Sequence, residues 1–206
     1  VESDIVIVNH HLLCADAAVR QGGYGEVIPD YSFAIVDEAH QLEDVATQYF
    51  GISVSKFRVE NLILDGFRLM EAGLPLDPVP ADTVRAALGQ VRDGAHAFFT
   101  AVETKTRGSK SESVGVRSRI DAATFEPVAD LSRALLDALS SLESELGLLT
   151  DPPEDFRALG RRVHEVHNDL RFTLQASDPA YVFFLEIRNR GVFLRASPID
   201  VSTMVR

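Results

Sequence analysis

Two short runs, DIVIV at residues 4–8 and SFAIVD at residues 32–37, are apolar at nearly every position. A strand with one wet face alternates apolar and polar residues. A continuous, β-branched run reads instead as a strand covered on both faces, as in a parallel sheet. Each run leads into helical sequence. Asn9 suits a helix N-cap ahead of HHLLCADAAVR, which ends near Arg20, and EAHQLEDVATQYF runs on to a stop at Gly51. The intervening QGGYGEVIPDY is loop by its glycines and proline. Strand, helix, strand, helix is the order of a βαβ unit and places the start of the chain in the α/β class. Two carboxylates, Asp37 and Glu38, close the second run. Burying them without a cation or a hydrogen-bond partner is costly, so they belong at an exposed edge or against a ligand.

After Gly51 the spacing changes. Apolar residues recur at three-four intervals through Val59, Leu62, Ile63, Phe67 and Met70, and again from Val84 to Val102. Two further seams run from Val128 to Leu146, just after Pro127, and from Phe156 to Leu174. Such seams predict long antiparallel helices packed in a bundle. AGLPLDPVP, TKTRGSKSESVG and TDPPED separate them. YVFFLEIR and GVFLRAS then flank Asn189-Arg190-Gly191, a β-hairpin signal. The expected organisation is an α/β piece at residues 1–50, a helical insertion at 51–180 and a return to the α/β core at 181–206.

Composition narrows the possible functions. The 206 residues carry a net charge of −11, which argues against a protein that coats nucleic acid through general basicity. Within residues 1–50 Arg20 is the only base. Cys14 is the only cysteine, so this chain forms neither an internal disulfide nor a cysteine cluster, and a reducing, cytoplasmic setting is expected. No apolar run approaches the ~20 residues of a membrane helix, and the acidic start does not read as a signal peptide. Opening on Val1 directly before a strand-like run, the chain reads as a fragment.

In open parallel sheets ligands sit beyond the carboxyl ends of the strands. Four apolar positions followed by Asp37 match a Walker B strand, whose Asp helps hold Mg²⁺, usually through water. The competing reading is a solvated first helical turn whose acids favour the helix dipole. The full motif is more specific, because Asp37-Glu38-Ala39-His40 spells DEAH. Together with DIVIVNHHLL, FAIVDEAHQLEDVATQYFG and FLRASPIDVS, it resembles the DinG/XPD-type iron–sulfur DNA helicases of superfamily 2. The resemblance implies a RecA-like first motor domain carrying a mainly α-helical Arch insertion and a returning β-hairpin. It implies ATP-dependent 5′→3′ translocation on single-stranded DNA, with ATP, Mg²⁺ and a 4Fe-4S cluster in the full-length protein. Asp37 would hold Mg²⁺ through water, Glu38 would be the catalytic base, and His40 would couple nucleotide state to elements that contact DNA. The partners implied are single-stranded DNA and the rest of the helicase: the remainder of motor domain 1, the iron–sulfur domain and motor domain 2. This chain departs from the pattern in two respects. G-x-x-x-x-G-K-[ST] is absent, RGSKS at residues 107–111 having no lysine directly after Gly108, and so are the four cluster cysteines. The isolated chain is therefore expected to be inactive toward ATP.

Other features carry weaker signals. His10 and His11 are adjacent, so on a helix they point about 100° apart and do not chelate one ion. HQLED misses the H-x-x-E-H metalloprotease pattern, because Asp44 replaces the second histidine. Lys105, Arg107, Lys110, Arg117 and Arg119 gather around a polar loop and are candidate phosphate contacts. The alternative for them is a solvated helix tip. Cys14, among Leu13 and Ala15, reads as a core thiol. The function class competing with a helicase is a non-enzymatic helical module that binds DNA or protein.

Overall fold

Helical seams decide most of this structure, a computed structural model that describes residues 3–21, 25–72, 78–108, 116–188 and 191–200. The helices are α1 (His10–Gln21), α2 (Leu42–Phe50), α3 (Lys56–Glu71), α4 (Pro78–Gly108), α5 (Ala129–Gly147) and α6 (Glu154–Gln175). Short 3₁₀ turns at Ala39–Gln41 and Ala122–Val128 lead into α2 and α5. The strands are β1 (Ile52–Ser55), β2 (Val116–Arg119), β3 (Tyr181–Arg188) and β4 (Gly191–Pro198), in the sheet order β1-β4-β3-β2. The chain divides into two compact units. The larger holds residues 53–177 and 183–195; the smaller holds 1–52, 178–182 and 196–206.

In the larger unit the expected seams are the buried ones. Val84, Leu88, Val91, Ala95, Phe98 and Val102 of α4 are all buried, as are Phe156, Leu159, Val163, Val166, Leu170 and Leu174 of α6. On α5, Leu135, Ala138, Leu142 and Leu146 are buried. Gly66 lets α3 lie close on α4, because a Cβ there would meet Leu88 Cδ2 at 2.6 Å. Local signals set the starts. The Ser55 hydroxyl accepts from Arg58 N (3.1 Å) to cap α3, and Asp121 with Thr124 forms a reciprocal capping box before α5. Hydrogen bonds from the Thr124 side chain and backbone hold the Asp121 carboxyl below its ordinary pKa. Two ion pairs tie α6 to α3, Arg58 to Asp169 (2.6 Å) and Arg162 to Asp65 (2.9 Å).

The sheet contains the expected hairpin, β3 and β4, and two strands the sequence pattern did not predict. β1 is four residues long, and β2 reads Val-Arg-Ser-Arg, too polar to signal a strand. β2 runs antiparallel to β3, with Val116 opposite Ile187 and Arg119 opposite Phe184. Asn189 and Arg190, the expected turn, lie outside the described residues.

In the smaller unit α1 packs on α2 through Cys14, Val45 and Ala46, with Leu42 and Phe50 alongside. Here two expectations need correction. The runs at residues 4–8 and 32–37 are neither strand nor helix. Their side chains are open to solvent, Ile7 at 93% and Ile35 at 99% exposure, with Ile5 and Phe33 also exposed. A continuous apolar run becomes a buried strand only when neighbouring strands and helices cover both faces, and among the described residues only Val8 of these runs is even partly covered. The helix expected from Glu38 begins later, at Leu42, after Glu38 in a left-handed conformation and a 3₁₀ turn.

Candidate functional site

The acidic motif sits between the second apolar run and α2. Glu38 has φ 48° and ψ 44°. This left-handed region is uncommon for a residue with a side chain, and such outliers gather at functional sites. A local hydrogen bond supports the bend: Asp37 Oδ1 accepts from Glu38 N at 2.9 Å. Two residues on, His40 Nδ1 lies 3.2 Å from Glu38 Oε2. All three side chains face solvent, with Glu38 at 62% and His40 at 73% side-chain exposure. His10, the first residue of α1, places Nε2 at 2.9 Å from the carbonyl oxygen of Asp37 and donates to it when that nitrogen carries the proton. α1 begins there because Asn9 caps it, Oδ1 accepting from Leu12 N at 2.8 Å, as the sequence predicted. The carboxyl ends of the two apolar runs therefore lie side by side, joined by His10 and Asp37.

This arrangement presents an exposed pair of carboxylates in which Asp37 Oδ1 is engaged by Glu38 N and Glu38 Oε2 by His40, two of the four oxygens. Such a set suits a hard cation that keeps its waters, as Mg²⁺ does, and so fits the metal implied by the motif. An iron–sulfur cluster does not fit this chain. It takes four thiolates, and the single thiol, Cys14, is fully buried, which pushes its pKa up. His11 packs against Tyr49, ring centroids 6.0 Å apart, rather than joining His10. Among the described residues no three His, Cys, Asp or Glu side chains form a group that could hold a metal ion.

Of the five loop cations, the side chains of Lys105, Arg117 and Arg119 are among the described ones. Lys105 Nζ donates to Pro127 O at 3.0 Å. Arg107 lies near the end of α4, and Lys110 falls outside the described residues. Arg117 and Arg119 are on β2, where the Arg117 guanidinium lies 3.6 Å above the Phe184 ring.

A buried clamp in the same unit as the acidic motif escaped the sequence reading. Asp16 is 1% exposed. Its carboxylate accepts from Val27 N (2.6 Å) and Ile28 N (2.9 Å) and pairs with Arg20 Nε (2.7 Å). Arg20 also reaches Asp30 (2.9 Å) and Glu26 (3.4 Å). Burial pushes the Asp16 carboxyl up, but the two backbone N–H groups and Arg20 outweigh it and hold the pKa below its ordinary value. The i, i+4 spacing of Asp16 and Arg20 was a visible signal; the loop amides that complete the clamp were not.

No family model matches the chain. It is similar to two curated proteins, each named ATP-dependent DNA helicase YoaA. With that of Escherichia coli (strain K12) it shares 50% identity over 64 residues. With that of Haemophilus influenzae (strain ATCC 51907 / DSM 11121 / KW20 / Rd) it shares 51% over 63 residues. Each match covers 31% of this chain and a tenth of the relative's length. The resemblance to DinG/XPD-type helicases drawn from the motifs is borne out over that stretch. No helix among the described residues is long and apolar enough to cross a membrane.

Proposed function

We propose that this chain is part of an ATP-dependent 5′→3′ DNA helicase of the cytoplasm, contributing a piece of its RecA-like first motor domain, the helical Arch insertion and the returning hairpin. The observation that carries the reading is the DEAH motif in a chain half identical, over 64 residues, to an ATP-dependent DNA helicase. Two features of the smaller unit support it. The carboxyl ends of the two apolar runs meet at His10 and Asp37, as adjacent strands of a parallel sheet would bring them. The exposed Ile5, Ile7, Phe33 and Ile35 supply apolar surface that further strands and helices of a motor domain would cover.

In this reading Asp37 would hold Mg²⁺ through water, and Glu38, bent into solvent, would orient and deprotonate the water that attacks the terminal phosphate of ATP. Bound Mg²⁺ neutralises charge on the phosphates. His40, 3.2 Å from Glu38, positions that carboxylate and passes its state to the elements that touch DNA. The phosphate cradle, the iron–sulfur domain and motor domain 2 are partners of this piece, because its 206 residues contain no G-K-[ST] and one cysteine.

The test is strand separation by the full-length protein. With ATP and Mg²⁺ it is expected to unwind a duplex with a 5′ single-stranded tail and to leave one with a 3′ tail intact. Binding of single-stranded DNA with neither unwinding nor ATP turnover would leave the non-enzymatic module instead.

A further inference from the structure

Four arginines of the larger unit, Arg117, Arg119, Arg188 and Arg195, share one face of the sheet. β2 and β3 pair with Arg117 opposite Glu186 and Arg119 opposite Phe184. Residues directly opposite in an antiparallel pair point to the same face. Alternation along β3 adds Arg188 to that face. Arg195 of β4 joins it through its 3.1 Å ion pair with Glu186, and Phe193 lies two residues before it. The opposite face carries Phe183, whose ring meets Phe172 of α6 at 5.3 Å, so α6 lies on that other side.

On the arginine face Arg117 and Arg119 form the outer layer. Phe184 is 5% and Glu186 6% exposed, yet Arg117 and Arg119 above them are exposed. Arg117 lies 3.6 Å over the Phe184 ring and Arg195 5.5 Å over Phe193. One carboxylate, Glu186, serves both Arg188 and Arg195. Arg117 and Arg119 pair with no acid among the described residues. Four arginines against one glutamate stand out on a chain of net charge −11.

We propose that this face binds the backbone of single-stranded nucleic acid, Arg117 and Arg119 contacting phosphates and the outer plane of the Arg117 guanidinium stacking a base. Guanidinium groups match phosphate oxygens bidentately, and a group already held against a ring gives up less freedom when it binds. Planar cations also stack on nucleobases, which an acidic peptide would not exploit. Two residues along a strand separate Arg117 from Arg119 by roughly 7 Å, a step comparable to that between consecutive phosphates. The choice of nucleic acid as the anion rests on the helicase reading above; the surface itself does not.

The experiment is fluorescence anisotropy of the 206-residue chain with a labelled oligothymidylate of about 15 nucleotides, titrated across roughly 50–200 mM salt. The Arg117→Ala/Arg119→Ala variant is expected to bind about tenfold more weakly, with a log–log salt slope shallower by about 1.4, near 0.7 per lost phosphate contact. Arg119→Glu, replacing an exposed and unpaired side chain, keeps the fold and also weakens binding. Arg133→Ala, removing an exposed α5 arginine paired with Asp130, leaves it unchanged. No binding by the unaltered chain, or unchanged affinity and slope in Arg119→Glu, overturns the proposal. Polyglutamate bound as tightly as the oligothymidylate also overturns it, in favour of a protein-docking face. A full-length protein that unwinds DNA while these variants bind normally removes this surface alone. Arginine-dependent binding without unwinding or ATP turnover removes the helicase reading alone.

Discussion

Glu38 joins an observed local role to the chemical one proposed for it. Its left-handed backbone ends the apolar run and turns its carboxylate toward solvent beside His40. The DEAH spelling was legible in the sequence, but the left-handed turn was not, because no glycine or asparagine marks it. Asp16 is the opposite case, a carboxylate inside the unit that holds residues 27 and 28 to α1. Because its folded pKa is depressed, the stability it adds is present above the unfolded value, near ~3.9, and is lost as pH falls through the folded one. Asp16→Asn should remove that acid dependence. At neutral pH it should cost about 2 kcal/mol locally, since Arg20 keeps Asp30 and Glu26 as partners. Hydrogen exchange at the Val27 and Ile28 amides reads this directly: faster exchange there, with α3 to α6 unaffected, is the expected result.

Elements differ in how much of their environment they carry with them. The seams of α4 and α6 were readable because every expected core position is buried by a neighbouring helix of the same unit. Phe98→Ala, at a fully buried site, should therefore cost about 3–5 kcal/mol in chemical denaturation. β1 and β2 were not readable, being four residues each and held by ladder partners far along the chain rather than by their own apolar pattern. The runs at residues 4–8 and 32–37 fail for the converse reason. Their pattern announces burial on two faces, and the covering neighbours are not among the described residues. Exposed apolar surface of this kind promotes association. Replacing Ile5, Ile7, Phe33 and Ile35 together by Thr should lower hydrophobic-dye binding and self-association of the 206-residue chain while leaving its helical circular dichroism unchanged. Undiminished dye binding would place the sticky surface elsewhere.

For the molecule as a whole, the proposed function places the acid half of a nucleotide site in these 206 residues, which contain no G-K-[ST] phosphate loop. Carboxylates alone repel phosphates. The purified chain should therefore fold cooperatively through its helical unit and show no DNA-stimulated ATP hydrolysis. In the full-length helicase proposed above, the two carboxylates should separate. A residue that only activates water is dispensable for binding, whereas one that holds Mg²⁺ is not. The most direct measurement is nucleotide binding and DNA-stimulated turnover of full-length Glu38→Gln beside Asp37→Ala. Glu38→Gln is expected to bind ATP normally with turnover reduced by about a hundredfold or more, and Asp37→Ala to lose Mg²⁺-dependent binding as well. Near-normal turnover in Glu38→Gln would contradict the assignment of this motif to an ATP-driven motor.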